Sequence, residues 1–276
     1  MGENREGSRM TAGKLRVSLI QMHVRAGEPD ANFAAIEQWL GRAAAMAVKP
    51  DLIVVPEMWN TGYALDRIGE LADPEGRRTR EAISAFCRRH RIHVLAGSIA
   101  ERSGKGVCNA SYLFDRDGSV VGRYAKIHLF PLMDEPRHLR GGDRVALAEL
   151  EGARAGIMIC FDLRFPELAR RLALEGARML LVPAQWPHPR LHHWRTLLMA
   201  RAIENQLWVI GCNRVGESGA VRFFGHSMVV DPWGETVAEA GEDETILTAQ
   251  IDLDAVEEAR RRLPVWECRR PELYGL

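Results

Sequence analysis

An α/β fold, with sheets carrying helices on their outer faces, is what the sequence predicts, and three observations predict it. Apolar runs of strand length alternate along the chain with amphipathic stretches of helical period. Some of the strand runs are continuously apolar, which suits strands buried on both faces. Other runs follow one another across turn residues, so hairpins join the strand–helix alternation.

The elements read in order as follows. "LRVSLIQM" (15–22) alternates Leu15, Val17 and Leu19 and reads as a strand. "NFAAIEQWLGRAAAM" (32–46) places apolar residues three and four apart, hence a helix. "DLIVVPE" (51–57) is a buried strand, and "RTREAISAFCRRH" (78–90) is helical. "IHVLAGSIAER" (92–102), "CNASYLFDRDG" (108–118) and "VVGRYAKIH" (120–128) read as successive strands, with "DRDG" as the turn between the last two. After a loop, "ARAGIMICFD" (153–162) is strand, "PELARRLALEGA" (166–177) helix, "MLLVPAQW" (179–186) strand, "HHWRTLLMARAIENQ" (192–206) helix and "LWVIGCNRVG" (207–216) strand. A hairpin over 225–240 turns at Pro232 and Gly234, a strand follows at 245–252, and a helix at 254–263 is ended by Pro264. One echo stands out: "DLIVVPEMW" (51–59) and "RMLLVPAQW" (178–186) both run an apolar strand into Val-Pro, two residues and Trp.

Of the 276 residues 46% are hydrophobic, enough for a sizeable core, and no Pro/Gly/Ser linker splits the chain, so one domain is expected. Residues 1–12 are polar and read as a disordered tail without a signal peptide. Lys plus Arg equals Asp plus Glu at 37 each, which argues against a nucleic-acid binder. No apolar stretch is long enough to span a membrane. The five cysteines are scattered and odd in number, which points to a reducing, cytoplasmic setting rather than a disulfide framework.

Strand ends in α/β sheets are where ligands and reactive groups gather. Three such ends carry chemistry: Glu57 after "LIVVP", Lys126 after "VVGRYA", Cys160 after "AGIMI". Each taken singly has a structural explanation, either a charge meeting water or a small core residue. Together they supply a thiol, a positive partner that favours thiolate, and a carboxylate able to move a proton, the minimum for acyl transfer.

At these residues, in "LIVVPEMWNTGY", "GRYAKIHLF" and "GIMICFDLRFPEL", the sequence resembles the nitrilase superfamily, the carbon–nitrogen hydrolases. The resemblance runs from about residue 14 onward and includes "ARAIENQLWVIGCNRVG". "DLRFPEL" is similar to the amidase branch of ω-amidases and Nit proteins, and the short loop "HLFPLMDEPRHLRGGD" resembles the amidase associated with methionine salvage. The resemblance implies an α/β four-layer α-β-β-α sandwich, a single carbon–nitrogen hydrolase domain over 13–276, and a homodimer or higher homo-oligomer. It implies that Cys160 is the nucleophile and Glu57 the base, with a thioester intermediate and no cofactor. Lys126 and the backbone N–H of Phe161 would form the oxyanion hole, and a second Glu in the loop, Glu135, would order the lysine. The implied substrate is a small amide, an ω-amide of a 2-oxo dicarboxylic acid such as 2-oxoglutaramate. The chief alternative is an N-carbamoyl-amine or N-carbamoyl-amino-acid hydrolase. A non-catalytic binding protein on the same fold is disfavoured because all three reactive positions are filled.

Tyr63, Gln185, Trp186 and Asn213 are the expected substrate-binding residues. Arg137, His138 and Arg140 make the loop basic and suit a substrate carboxylate, whereas Asp162 and Arg164 are expected to brace the chain around Cys160. His188, His192 and His193 lack a carboxylate at ligand spacing, so no metal is expected. The segment 263–276 reads as an arm lying across a partner.

Overall fold

A computed structural model describes residues 13–274 as two large sheets between two pairs of helices; the tail expected over 1–12 lies outside the described residues. The first sheet has at its centre three parallel strands, β1 (Lys14–Gln21), β2 (Leu52–Val54) and β4 (His93–Leu95). Antiparallel pairs extend it on both sides, in the order β16 (Thr245–Asp252), β1, β2, β4, β6 (Gly106–Phe114), β5 (Ile99–Ser103), with β3 (Asp73–Pro74) parallel to β5 at the edge. β6 also pairs with β7 (Val120–Ala125). The second sheet repeats the plan. Its parallel core is β9 (Ala153–Ile157), β10 (Ala177–Ala184) and β11 (Trp208–Asn213). β8 (Leu147–Leu150) flanks β9, and β14 (Met228–Val230) and β15 (Thr236–Glu239) flank β11. The sequence echo therefore has a structural counterpart: β2 and β10 are the middle strands of the two parallel cores.

Side-chain alternation assigns the layers. In β1 and β2, Val17, Leu19, Leu52 and Val54 point inward and share one core with Ile157 and Leu181 of the other sheet. Their neighbours Ile20 and Ile53 point the other way, onto Ile36 and Leu40 of α1 (Pro29–Ala44) and Ile83 and Cys87 of α3 (Arg77–His90), which follows the single turn α2 (Ile68–Leu71). Each fully buried Leu or Ile contributes roughly 1.5–3 kcal/mol. α5 (Pro166–Leu174) and α6 (Leu191–Asn205) cover the second sheet, and α6 packs so closely that a Cβ on Gly211 would meet Trp194 and Leu198 at 2.8 and 2.9 Å. The order is helix, sheet, sheet, helix, the four layers that the resemblance implies.

Three local differences matter for the site. The run 92–102 is two strands, because Gly97 breaks it with φ +54°; a Cβ there would lie 2.0 Å from the Pro56 carbonyl oxygen. Only glycine permits the chain to pass that close to the segment carrying Glu57. The strand at 153–162 ends at Ile157, and Cys160 opens a short 3-10 helix, Cys160–Arg164. The loop after Lys126 contains a helical turn, α4 (Glu135–His138), before β8. A hairpin of β12 (Val215–Ser218) and β13 (Val221–Phe224) was also not expected. At the C-terminal end, α7 (Asp254–Arg262) leads into the arm, whose Trp266 packs on Arg170 and Arg260 of its own chain. No helix among the described residues is long and apolar enough to cross a membrane.

Candidate active site

Parallel strands in both sheets end at the same rim, and their first polar residues converge there. Glu57 follows β2, Lys126 follows β7, Cys160 follows β9, and Gln185 follows β10. Glu57 and Lys126 are fully buried and Cys160 is 6% exposed. The two sheets are bolted together at this point: the Gln185 amide N–H donates to Glu57 Oε2 at 2.8 Å, and Gln185 Nε2 donates to the Glu57 carbonyl at 2.7 Å.

Glu57 Oε1 accepts from three side chains, Lys126 Nζ at 2.8 Å, Asn109 Nδ2 at 2.8 Å and the Tyr63 hydroxyl at 2.9 Å. Lys126 Nζ also donates to Glu135 Oε1 at 2.7 Å, so the ammonium is held between two carboxylates. Glu135 is fully buried and is itself fixed by the Phe130 N–H, which donates to its Oε2 at 2.7 Å. The Tyr63 hydroxyl lies 2.5 Å from Glu135 Oε1 as well as against Glu57; with one proton it donates to one carboxylate at a time.

Burial of charges in such a cluster is tolerable only with close partners. Burial works against the Lys126 ammonium, yet the carboxylates of Glu135 and Glu57 more than compensate and hold it above the usual lysine range. Burial pushes the Cys160 thiol well above its ordinary value; the Glu57 charge pushes the same way, and Lys126 opposes them.

Cys160 has φ +47°, in the left-handed region that side chains rarely adopt. Asp162 holds that turn. Its buried carboxylate accepts from the Ile159 N–H at 2.9 Å, the Tyr124 hydroxyl at 2.7 Å and the His128 N–H at 3.1 Å, and lies 2.7 Å from His128 Nδ1. The bracing expected of Asp162 is thus visible. Phe161 sits in the first turn of the 3-10 helix, where a helix's own carbonyls leave the N–H groups unpaired.

A cavity opens over Cys160, lined by Phe130, Phe161, Arg164, Gln185, Trp186 and Arg190. Gln185 and Trp186 therefore stand in the wall where the sequence put them. Tyr63 sits beside the carboxylates instead. Asn213 lies behind the wall, fully buried: its Oδ1 accepts from the Trp186 N–H at 2.7 Å, and its Nδ2 donates to the carbonyls of Trp186 and Gly225 at 3.2 and 2.8 Å. With its polar atoms committed to backbone it supports Trp186 and does not face the cavity.

The basic groups near the thiol are not those of the loop. Arg137 is exposed beside Asp134, and Arg140 Nη1 donates to the Lys105 carbonyl at 2.7 Å; neither they nor His138 line the cavity. Arg164 and Arg190 do. Among the described residues Arg164 has no carboxylate partner; its Nη2 lies 3.3 Å from His193 Nδ1 of α6, and its guanidinium lies 4.7 Å from the Trp186 ring centre and 6.0 Å from that of Phe161. Burial first, and the nearby Arg190 charge further, push it below the usual arginine value. Asn109 and Arg190 had no signal in the sequence, since neither follows an apolar strand.

The chain is similar to known proteins over nearly its whole length. The family described as carbon-nitrogen hydrolase matches residues 16–261. The chain is 40% identical to the 2-oxoglutaramate amidase of Bacillus subtilis (strain 168) over 95% of its own length and 100% of that protein's. It is 31% identical to an omega-amidase of Saccharomyces cerevisiae, over 97% of each chain. The crystal structure of a carbon-nitrogen hydrolase from Helicobacter pylori G27 superposes with a TM-score of 0.88 at 27% identity, covering 96% of this chain and 98% of that one. A family match across both sheets, with relatives aligned nearly end to end, places this chain among the carbon–nitrogen hydrolases of the nitrilase superfamily, in the amidase branch related to the ω-amidases.

Proposed function

We propose that the protein hydrolyses the C–N bond of a small ω-amide that carries a carboxylate at its far end, an ω-amide of a 2-oxo dicarboxylic acid such as 2-oxoglutaramate, through a thioester on Cys160. The reading is supported above all by the pair of guanidinium groups, Arg164 and Arg190, in the wall of the cavity over Cys160. Among the described residues neither is ion-paired, so an anionic substrate supplies what they lack. The aromatic rings of Phe130, Phe161 and Trp186 suit the short carbon chain between the two ends.

Glu57 takes the thiol proton as sulfur attacks the amide carbon. Its Oε1 is met by Lys126 and Asn109 and shares the Tyr63 proton with Glu135, whereas Oε2 has the Gln185 N–H, which leaves Oε2 with room for the incoming proton. The oxygen of the tetrahedral adduct is met by the Lys126 ammonium and the Phe161 N–H. Glu57 returns its proton to the departing nitrogen, ammonia leaves, and a thioester remains. Water, deprotonated by Glu57, then adds to the thioester carbon, the C–S bond breaks to release the carboxylic acid, and Glu57 returns the proton to the Cys160 sulfur. Glu135 and Tyr63 hold Lys126 and Glu57 in register.

The same reading takes the protein as a cytoplasmic homodimer. All five cysteines are free, as a reducing compartment requires. Leu174, Ile203, Trp233 and Val237 are exposed on and beside the α5–α6 layer, an apolar surface suited to a second copy.

Ammonia release from 2-oxoglutaramate, N-carbamoyl amino acids, neutral amides and nitriles tests the proposal. The ω-amide should give the highest kcat/KM, and Cys160→Ser should lower it by at least about 10³-fold. Preference for carbamoyl compounds with release of carbon dioxide would instead favour the carbamoyl hydrolase, and normal turnover by Cys160→Ser would end the thioester route.

A further inference from the structure

Arg214 is fully buried at the end of β11, and among the described residues it has no carboxylate partner. Its fork is spent on neutral oxygens. Nε donates to the Val215 carbonyl at 3.1 Å, Nη2 to those of Val24 at 2.7 Å and Glu217 at 3.4 Å, and Nη1 to Gln185 Oε1 at 3.1 Å. The Phe223 ring lies under the guanidinium at 4.3 Å. A buried cation without a counter-ion is costly, and burial alone pushes this one down to about 9.

What it touches explains why it is there. A side-chain amide can present either oxygen or nitrogen to a given neighbour. With the guanidinium donating to Oε1, the Gln185 amide is locked with Nε2 toward the Glu57 carbonyl, 2.7 Å away. The reversed amide would set oxygen against oxygen. Gln185 grips Glu57 a second time, its N–H on the carboxylate at 2.8 Å. The planar fork also ties Gln185 to the segment after β1 through Val24, a span that a lysine's single ammonium would not reproduce.

We propose that Arg214 is a positioning residue for the Glu57 carboxylate, acting through the Gln185 amide. This rests on the reading of Glu57 as the base. Displacing such a group by an ångström costs on the order of 10²-fold in rate.

The test is a kinetic cycle on the full-length enzyme with Arg214→Met, Arg214→Lys, Gln185→Ala and the Arg214→Met/Gln185→Ala pair, each also melted thermally. Arg214→Met should lower kcat by roughly 10–100-fold with KM changed by no more than about two-fold. The double variant should be no slower than its slower parent, because both changes break one connection. Arg214→Lys keeps the cation without the fork and should recover only part of kcat; it carries the cycle with Gln185→Ala if Arg214→Met does not fold. Wild-type kcat per folded molecule in either Arg214 variant, or losses that multiply in the double variant, would overturn the assignment. Glu57→Ala and Cys160→Ser run alongside: if they hydrolyse amides normally, the underlying reading of the site fails, whereas if they are dead and the Arg214 variants keep wild-type kcat, only this inference does.

Discussion

Burial and the Glu57 carboxylate raise the Cys160 thiol together, and Lys126 offsets part of the rise, so each neighbour's charge should be readable in the thiol's own titration. Glu57→Gln removes a negative charge and should move the pH midpoint of Cys160 alkylation down. Lys126→Met removes a positive one and should move it up. Both should lose turnover, Glu57→Gln because more thiolate without a base does not complete the reaction and Lys126→Met because the oxyanion loses its charged donor. Alkylation profiles in the opposite order would contradict the placement of the two charges. A second residue-scale consequence concerns substrate choice. A charge-assisted hydrogen bond contributes about 1.5–3 kcal/mol, so Arg164→Met should reduce kcat/KM for 2-oxoglutaramate by roughly 10–100-fold while leaving a neutral amide nearly unaffected; equal losses on both would place Arg164 in the scaffold. Glu57, Lys126 and Cys160 were legible in the sequence because each is the first chemically reactive group after an apolar strand. Asn109 and Arg190 were not, because a hydrogen bond across strands and a guanidinium entering from the start of α6 leave no local pattern. Arg164 was legible as a residue but its place in the cavity wall was not, since nothing local says whether a cation meets a carboxylate or an aromatic ring.

The element that decides the geometry is the turn between β9 and α5. Its cysteine is held at φ +47° by the Asp162 carboxylate, a strained conformation that costs on the order of 1–3 kcal/mol. Glycine adopts that conformation freely. Cys160→Gly should therefore be more stable than Cys160→Ala by about 1 kcal/mol, the reverse of the usual glycine penalty, as urea unfolding would measure. An alanine variant at least as stable as the glycine one would mean the turn relaxes and is not held. Strand and helix existence was readable from period alone. The ends of elements were not: the strand through Cys160 stops three residues short of it, and Gly97 divides an apparently continuous run, because both breaks answer to the neighbouring Asp162 carboxylate and Pro56 carbonyl. α4 was missed for the same reason, as a four-residue turn held by Glu135 has no period to read.

For the whole molecule, the exposed apolar side chains of Leu174, Ile203, Trp233 and Val237 predict self-association. Light scattering should give twice the 31.0 kDa chain mass, and Ile203→Glu should shift it toward a single chain; a monomeric wild type would remove the dimer from the reading. The alternation of periods in the sequence determined an α/β fold with helices outside its sheets, whereas the face-to-face packing of two sheets was implied only by the resemblance, since a strand buried on both faces can have helices on either side. The order of its three motifs determined the family, because that chemistry demands those groups whatever brings them together. Only the tertiary structure decided which polar residues meet: Asn109 and Tyr63 on Glu57, Asn213 behind Trp186 rather than beside the thiol, Arg214 on Gln185. Those contacts join residues from different strands of two sheets, and a hydrogen bond depends on the distance between atoms in space, which the spacing of residues along the chain does not encode.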